Sequence, residues 1–163
     1  MKTRKITTLG LSVALALILS YVESLLPPLV AVPGVKAGLP NIVILFLLYR
    51  CGWKEAAAVS GLRLLLTAAL FTGFAAFFYG LSGAVLSLAG AALLKRSGRF
   101  SPLGVSAAGG VLHNLGQIAL AALVLDSGYI FAYLPVLLLS GTAAGALVGL
   151  LAGILIRRAD VGA

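Results

Sequence analysis

From Leu103 to Leu125 the chain runs without a single Lys, Arg, Asp or Glu, yet Leu112-His113-Asn114-Leu115-Gly116-Gln117 sets three strongly polar side chains in the middle of the run. As a helix this stretch is long enough to cross a hydrocarbon core of about 30 Å, and His113 then lies about 15 Å from its start, close to the midplane. Polar groups at that depth persist mainly where they face a protein interior or a water-filled cavity, which makes the trio a candidate site. The spacing from His113 and from Asn114 to Gln117 puts all three on one broad helix face. The plainer alternative is interhelical hydrogen-bond glue in a packed bundle.

This run is one of six apolar segments, at about 6–26, 39–50, 54–71, 74–94, 103–125 and 134–156. With 61% hydrophobic and 10% charged residues, the composition is far from that of a soluble domain. The expected fold class is an all-α integral membrane protein with six transmembrane helices in a single membrane domain spanning 1–163. The basic start followed by Ile6 to Val22 resembles a signal peptide, but five more apolar segments follow and no clear Ala-x-Ala site closes it; an uncleaved first span is expected.

A net charge of +8 in a soluble protein would suggest nucleic acid, whereas here the basic residues serve to mark sidedness and no nucleic-acid partner is expected. Lys2, Arg4, Lys5, Arg50, Lys54, Lys95, Arg96, Arg99, Arg157 and Arg158 fall on one face of the six-span layout, ten of the twelve basic residues. The positive-inside rule makes that face, and both termini, cytoplasmic. Lys36 and Arg63 are the exceptions and need another explanation. Trp53 suits the inner interface and Tyr21, Tyr129 and Tyr133 the outer one.

The second segment is short. From Leu39 to Arg50 a helix covers about 18 Å, so part of the preceding loop, Pro27 to Pro40 with its four prolines, is expected at membrane depth. Irregular backbone is tolerated there only where it is buried in protein or lines a cavity, and short, Pro/Gly-interrupted spans point to binding sites. In the last segment Gly141, Gly145, Gly149 and Gly153 recur every four residues, leaving one helix edge bare for close packing.

Counted inward from the two faces, Asn41, Arg63, His113 and Asn114 stand at near-central depths, with Gln117, Lys36 and Glu23 progressively nearer the outside. Together they predict a polar funnel opening outward. Arg63 and Lys36 favour an anion, the first amides of the short second helix near Asn41 are candidate donors to it, and Glu23 is a candidate partner for Lys36. The alternatives are a structural Arg63 held by carbonyls and by Asn114 or Gln117, and a Lys36 that snorkels to the surface. Phe71, Phe74, Phe77, Phe78 and Tyr79 cluster near the outer turn, where lipid contact is expected ahead of ligand stacking.

Enzyme chemistry finds no footing. A prenyl diphosphate synthase needs clustered aspartates to hold Mg²⁺, and this chain has Asp126 and Asp160, far apart. His113 is the one histidine and Cys51 the one cysteine, so neither a metal site nor an internal disulfide is expected. There is no Gly-x-x-x-x-Gly-Lys phosphate loop, and no cofactor is implied.

At Val32-Pro33-Gly34-Val35-Lys36-Ala37-Gly38-Leu39-Pro40-Asn41-Ile42, with Gly61-Leu62-Arg63 and His113-Asn114-Leu115-Gly116-Gln117, the sequence resembles the bacterial Gx transporter family, often labelled heptaprenyl diphosphate synthase component I. That family is similar to the substrate-binding S components of energy-coupling factor (ECF) transporters, and the likeness covers nearly the whole chain. It implies an S-component-like bundle in the bacterial cytoplasmic membrane. The ligand, a small vitamin- or cofactor-like anion, would bind near the outer face under a lid, Pro27 to Pro40, and a membrane coupling subunit with cytoplasmic ATPases would energise uptake. Small residues on the first span, here Ser12, Ala16 and Ser20, would face that subunit. Two departures stand out: Pro40 replaces the expected small residue before Asn41, and the first span lacks an Ala-x-x-x-Ala pair. A second reading is a membrane subunit of isoprenoid, quinone or extracellular redox metabolism that binds a quinone-like lipid.

Overall fold

A computed structural model of the chain describes residues 2–26 and 36–161. It is all-helical: α1 (Lys2–Leu25), α2 (Asn41–Arg50), α3 (Trp53–Thr67), a π turn (Ala68–Thr72), α4 (Gly73–Ser97), α5 (Pro102–Leu125), a 3₁₀ turn (Gly128–Tyr133) and α6 (Leu134–Val161). The helices fall within a few residues of the six apolar segments, because Pro and Gly punctuate the chain where each ends. Among the described residues four helical runs are long and apolar enough to cross a membrane: Lys5–Leu25, Trp53–Ser97, Pro102–Leu125 and Gly128–Ala159. The count falls short of six because α2 has ten residues and the run from Trp53 to Ser97 is continuous in helical type.

That continuous run nevertheless folds back on itself. A straight helix would hold Leu64 and Gly80 about 24 Å apart, whereas a Cβ built on Gly80 would lie 2.9 Å from Leu64 Cδ2. The π turn widens the end of α3, and Gly73, at φ +79°, makes the reversal that a residue with a Cβ resists. α5 opens with Ser101, whose hydroxyl accepts from the Gly104 amide at 3.3 Å, and with Pro102 in its first turn.

α2 is the hub. It is apolar on every side, and Val43, Ile44, Leu45, Leu47 and Leu48 are all buried, as expected of a helix with neighbours all round. Around it Ala16, Ala56, Val59, Val105, Val148 and Ala152 close the main core, while Ile118 and Leu137 form a smaller one near the opposite end. Lipid is as apolar as these side chains, so close packing rather than water exclusion holds such helices together in a bilayer. The glycine row of α6 serves that packing. Cβ atoms built on Gly141, Gly145 and Gly149 would lie 2.8, 2.4 and 2.7 Å from Gly110 O, Ser106 O and Leu103 Cα of α5.

Polar contacts tie one end of the bundle. Lys5 Nζ pairs with Glu55 at 2.5 Å, Arg50 Nη2 donates to Ala159 O at 3.3 Å, and Lys95 Nζ donates to Leu48 O at 2.6 Å. The start of α1 and the ends of α2, α4 and α6 therefore meet there, with the basic residues concentrated among them. Lys95 also lies 5.1 Å from the Tyr49 ring centroid, so one cation serves both the carbonyl end of α2 and an aromatic face.

Candidate functional site

All six helices line one cavity of about 170 Å³. Glu23, Lys36, Asn41, Arg63, His113, Asn114 and Gln117 all stand on its wall, so the seven residues singled out from sequence converge. Each arrives from a different constraint. α3 brings Arg63, α5 brings the polar trio, and the turn at 36–40 carries Lys36 over the α2 entrance.

Arg63 is 7% exposed. Its Nη1 donates to Ser20 Oγ at 3.2 Å, and its buried Nε has no hydrogen-bond partner. One turn further on, Thr67 is also buried and lines the cavity, and its Oγ1 is likewise without a partner. Burying a polar atom unpaired costs about 1–3 kcal/mol, more for a charged group, so two such atoms on one helix face set this part of the wall apart from the rest of the bundle.

The His113 ring lies in a notch made by Gly83, where an added Cβ would come 2.8 Å from both Cε1 and Nδ1. Gly116 lets α5 approach α4 in the same way, its Cβ position being 2.6 Å from Ser82 O. Asn114 plays a structural part, since its Nδ2 donates to Leu137 O at 2.6 Å and ties α5 to α6. The glue reading thus holds for one hydrogen bond of Asn114.

Two expectations are corrected. Glu23 makes no ion pair with Lys36 among the described residues; its Oε1 accepts from the backbone amides of Gly38 and Leu39 instead, because Gly38 at φ +76° turns them toward it. The first amides of α2 are not open donors. Asn41 N bonds Gly38 O at 2.9 Å, Ile42 N bonds Leu39 O and Val43 N bonds Pro40 O, each at 3.2 Å, so the turn before the helix satisfies them. Pro40 begins this arrangement at φ −64°, already set for the helix. Of the small-residue row of α1, Ala16 and Ser20 are buried within the bundle. Ala16 is fully buried, Ser20 is 6% exposed and Ser12 is half-buried, because small side chains at a spacing of four let α1 settle on its neighbours, while Leu11, Leu15, Ile18 and Val22 face outward.

Residues 27–35 of the expected lid lie outside the described residues; Lys36, Ala37, Gly38 and Pro40 border the cavity. Phe71, Phe74 and Phe78 are exposed, and Phe77 lines the cavity. Ser20, Ser60 and Thr67 are site residues that sequence reasoning missed. The signal was there for two: Ser60, Arg63 and Thr67 recur at spacings of three and four, so they share a helix face.

The model of one protein family, described as heptaprenyl diphosphate synthase component I, matches residues 12–155. No curated protein and no solved structure matches the chain.

Proposed function

The chain belongs to the heptaprenyl diphosphate synthase component I family, and from that membership and the cavity's chemistry we propose that it is the membrane-embedded, substrate-binding subunit of an importer of the ECF type. On this reading the six helices are six membrane segments with both termini in the cytoplasm, α2 and the turn before it together completing the short second crossing. A small anion enters from outside, is held at Arg63, and passes inward when a membrane coupling subunit and its ATPases drive reorientation.

The observation that carries the proposal is the buried, half-partnered guanidinium of Arg63 on the wall of a cavity inside an apolar bundle. Intramembrane cations of this kind mark substrate and ion pathways. A synthetic role has less support. Diphosphate chemistry needs grouped oxygen ligands for Mg²⁺, and among the described residues no three of His, Cys, Asp and Glu come together.

Ligand extraction tests the proposal. The protein, purified in mild detergent, is expected to release a small water-soluble anion identifiable by mass spectrometry, and Arg63→Ala is expected to release none. Recovery of a polyprenyl lipid or quinone in its place would favour the membrane redox or isoprenoid role.

A further inference from the structure

Resting on the ligand-capture reading, we infer that the ligand is a small monocarboxylate with a compact apolar body, its carboxylate seated on Arg63 and Thr67 and its body directed toward the basic end of the bundle. The charge of the wall sets the first part. Arg63 and Lys36 are its basic residues and Glu23 its acidic one, so with His113 neutral the wall carries a single excess positive charge. One negative charge balances it; a diphosphate or dicarboxylate overshoots.

The chemistry of the unpartnered donors sets the head group. Nη1 of Arg63 is engaged by Ser20, and the side edge of the guanidinium, where Nε and Nη2 point the same way, carries the unpartnered Nε. Two parallel N–H groups are the fork that a planar carboxylate accepts. The Thr67 hydroxyl, one turn along the same helix and also unpartnered, supplies a further donor for a carboxylate oxygen.

Shape sets the body. Beyond Arg63, toward the end marked by Lys95 and Arg50, Leu48, Leu88, Ala91 and Val105 give the wall an apolar majority, with the small hydroxyls of Ser60, Ser87 and Ser106 set among them. The volume of about 170 Å³ is close to the roughly 150 Å³ of an apolar hole that holds one benzene ring. A body of one ring, or a short branched chain, fits; a polyprenyl tail does not.

The test uses the full chain in mild detergent, its melting temperature followed with benzoate, hexanoate, acetate, benzyl alcohol and phenyl phosphate as probes, alongside Thr67→Val and Arg63→Gln. Benzoate and hexanoate are expected to raise the melting temperature, and acetate, benzyl alcohol and phenyl phosphate to do so at least about tenfold less effectively in concentration. Thr67→Val removes a hydroxyl without a partner, so it is expected to melt no lower than the parent while binding benzoate about tenfold more weakly. Equal responses to benzoate and benzyl alcohol would overturn the carboxylate, equal responses to benzoate and acetate the apolar body, and unchanged benzoate binding by Thr67→Val the seat. A chain that ignores every probe yet releases a water-soluble anion of another class overturns this inference and leaves ligand capture standing. A chain that ignores every probe and releases nothing overturns both.

Discussion

Gly110 and Gly141 meet backbone to backbone: a Cβ built on Gly110 would lie 2.1 Å from the Gly141 carbonyl oxygen, and one built on Gly141 would lie 2.8 Å from Gly110 O. No rotamer relieves such a clash, because the obstructing atoms are main chain. Gly110→Ala is therefore expected to push α5 and α6 apart and cost about 1–3 kcal/mol, more than the gain of up to about 1 kcal/mol in helix propensity. Gly153→Ala is the control, since its Cβ would meet only Pro102 Cβ at an ordinary 3.8 Å. Melting temperatures in one detergent compare the two; an equal effect would show that the close approach does not hold the pair together.

Lys95 supports α2 from a distance. Its Nζ donates to Leu48 O at 2.6 Å, placing a cation at the negative end of a ten-residue helix. Lys95→Met keeps the stem and removes the donor, and is expected to lower stability by about 1–2 kcal/mol. Arg96 is exposed, so Arg96→Met is expected to change the melting temperature little. Thermal unfolding of the two variants checks the contrast.

The helices were legible because five of the six apolar segments are long and all six end close to Pro, Gly or a basic pair. The near-central depth of Asn41, Arg63, His113 and Asn114 was legible by counting from the two faces, whereas their meeting on one cavity wall depends on how the helices are rotated, which no single segment carries. Direction was harder. Ser12, Ala16 and Ser20 read equally well as a row facing a partner or a row facing home, and the choice depends on which neighbours crowd α1, which is a long-range matter. Glu23 is the same kind of case: charge alone gives its carboxylate to the nearest cation, whereas two amides turned by Gly38 reach it first. The π turn at Ala68–Thr72 has no sequence mark beyond the Thr72-Gly73 step that follows it.

Arg63 separates stability from binding. It is buried with Ser20 as its hydrogen-bond partner and with Nε unpaired, so within the bundle it stabilises little. Arg63→Met keeps the volume and removes the charge; it is expected to fold and express as the parent does, melt at the same temperature or higher, and bind the extracted ligand at least about tenfold more weakly. Binding is read by equilibrium dialysis with the labelled ligand. A variant that binds normally would remove Arg63 from the site, and one that fails to fold would make it a structural cation.

Cys51 and Tyr129 stand at opposite ends of the bundle. Cys51 follows α2 at the end that gathers Lys95 and Arg50, and its thiol is exposed; Tyr129, in the turn between α5 and α6, is 91% exposed. If basic residues mark the cytoplasmic face, a membrane-impermeant thiol reagent applied to intact cells is expected to miss Cys51 and to label the Tyr129→Cys variant. Tyr129 is a better place for the probe than Asp126, whose backbone sits at φ +46° and would strain a cysteine. Permeabilised cells should label both positions. Labelling of Cys51 alone in intact cells would invert the bundle, and Arg63 would then have to be reached from the cytoplasm, which would overturn the proposed entry of a ligand from outside.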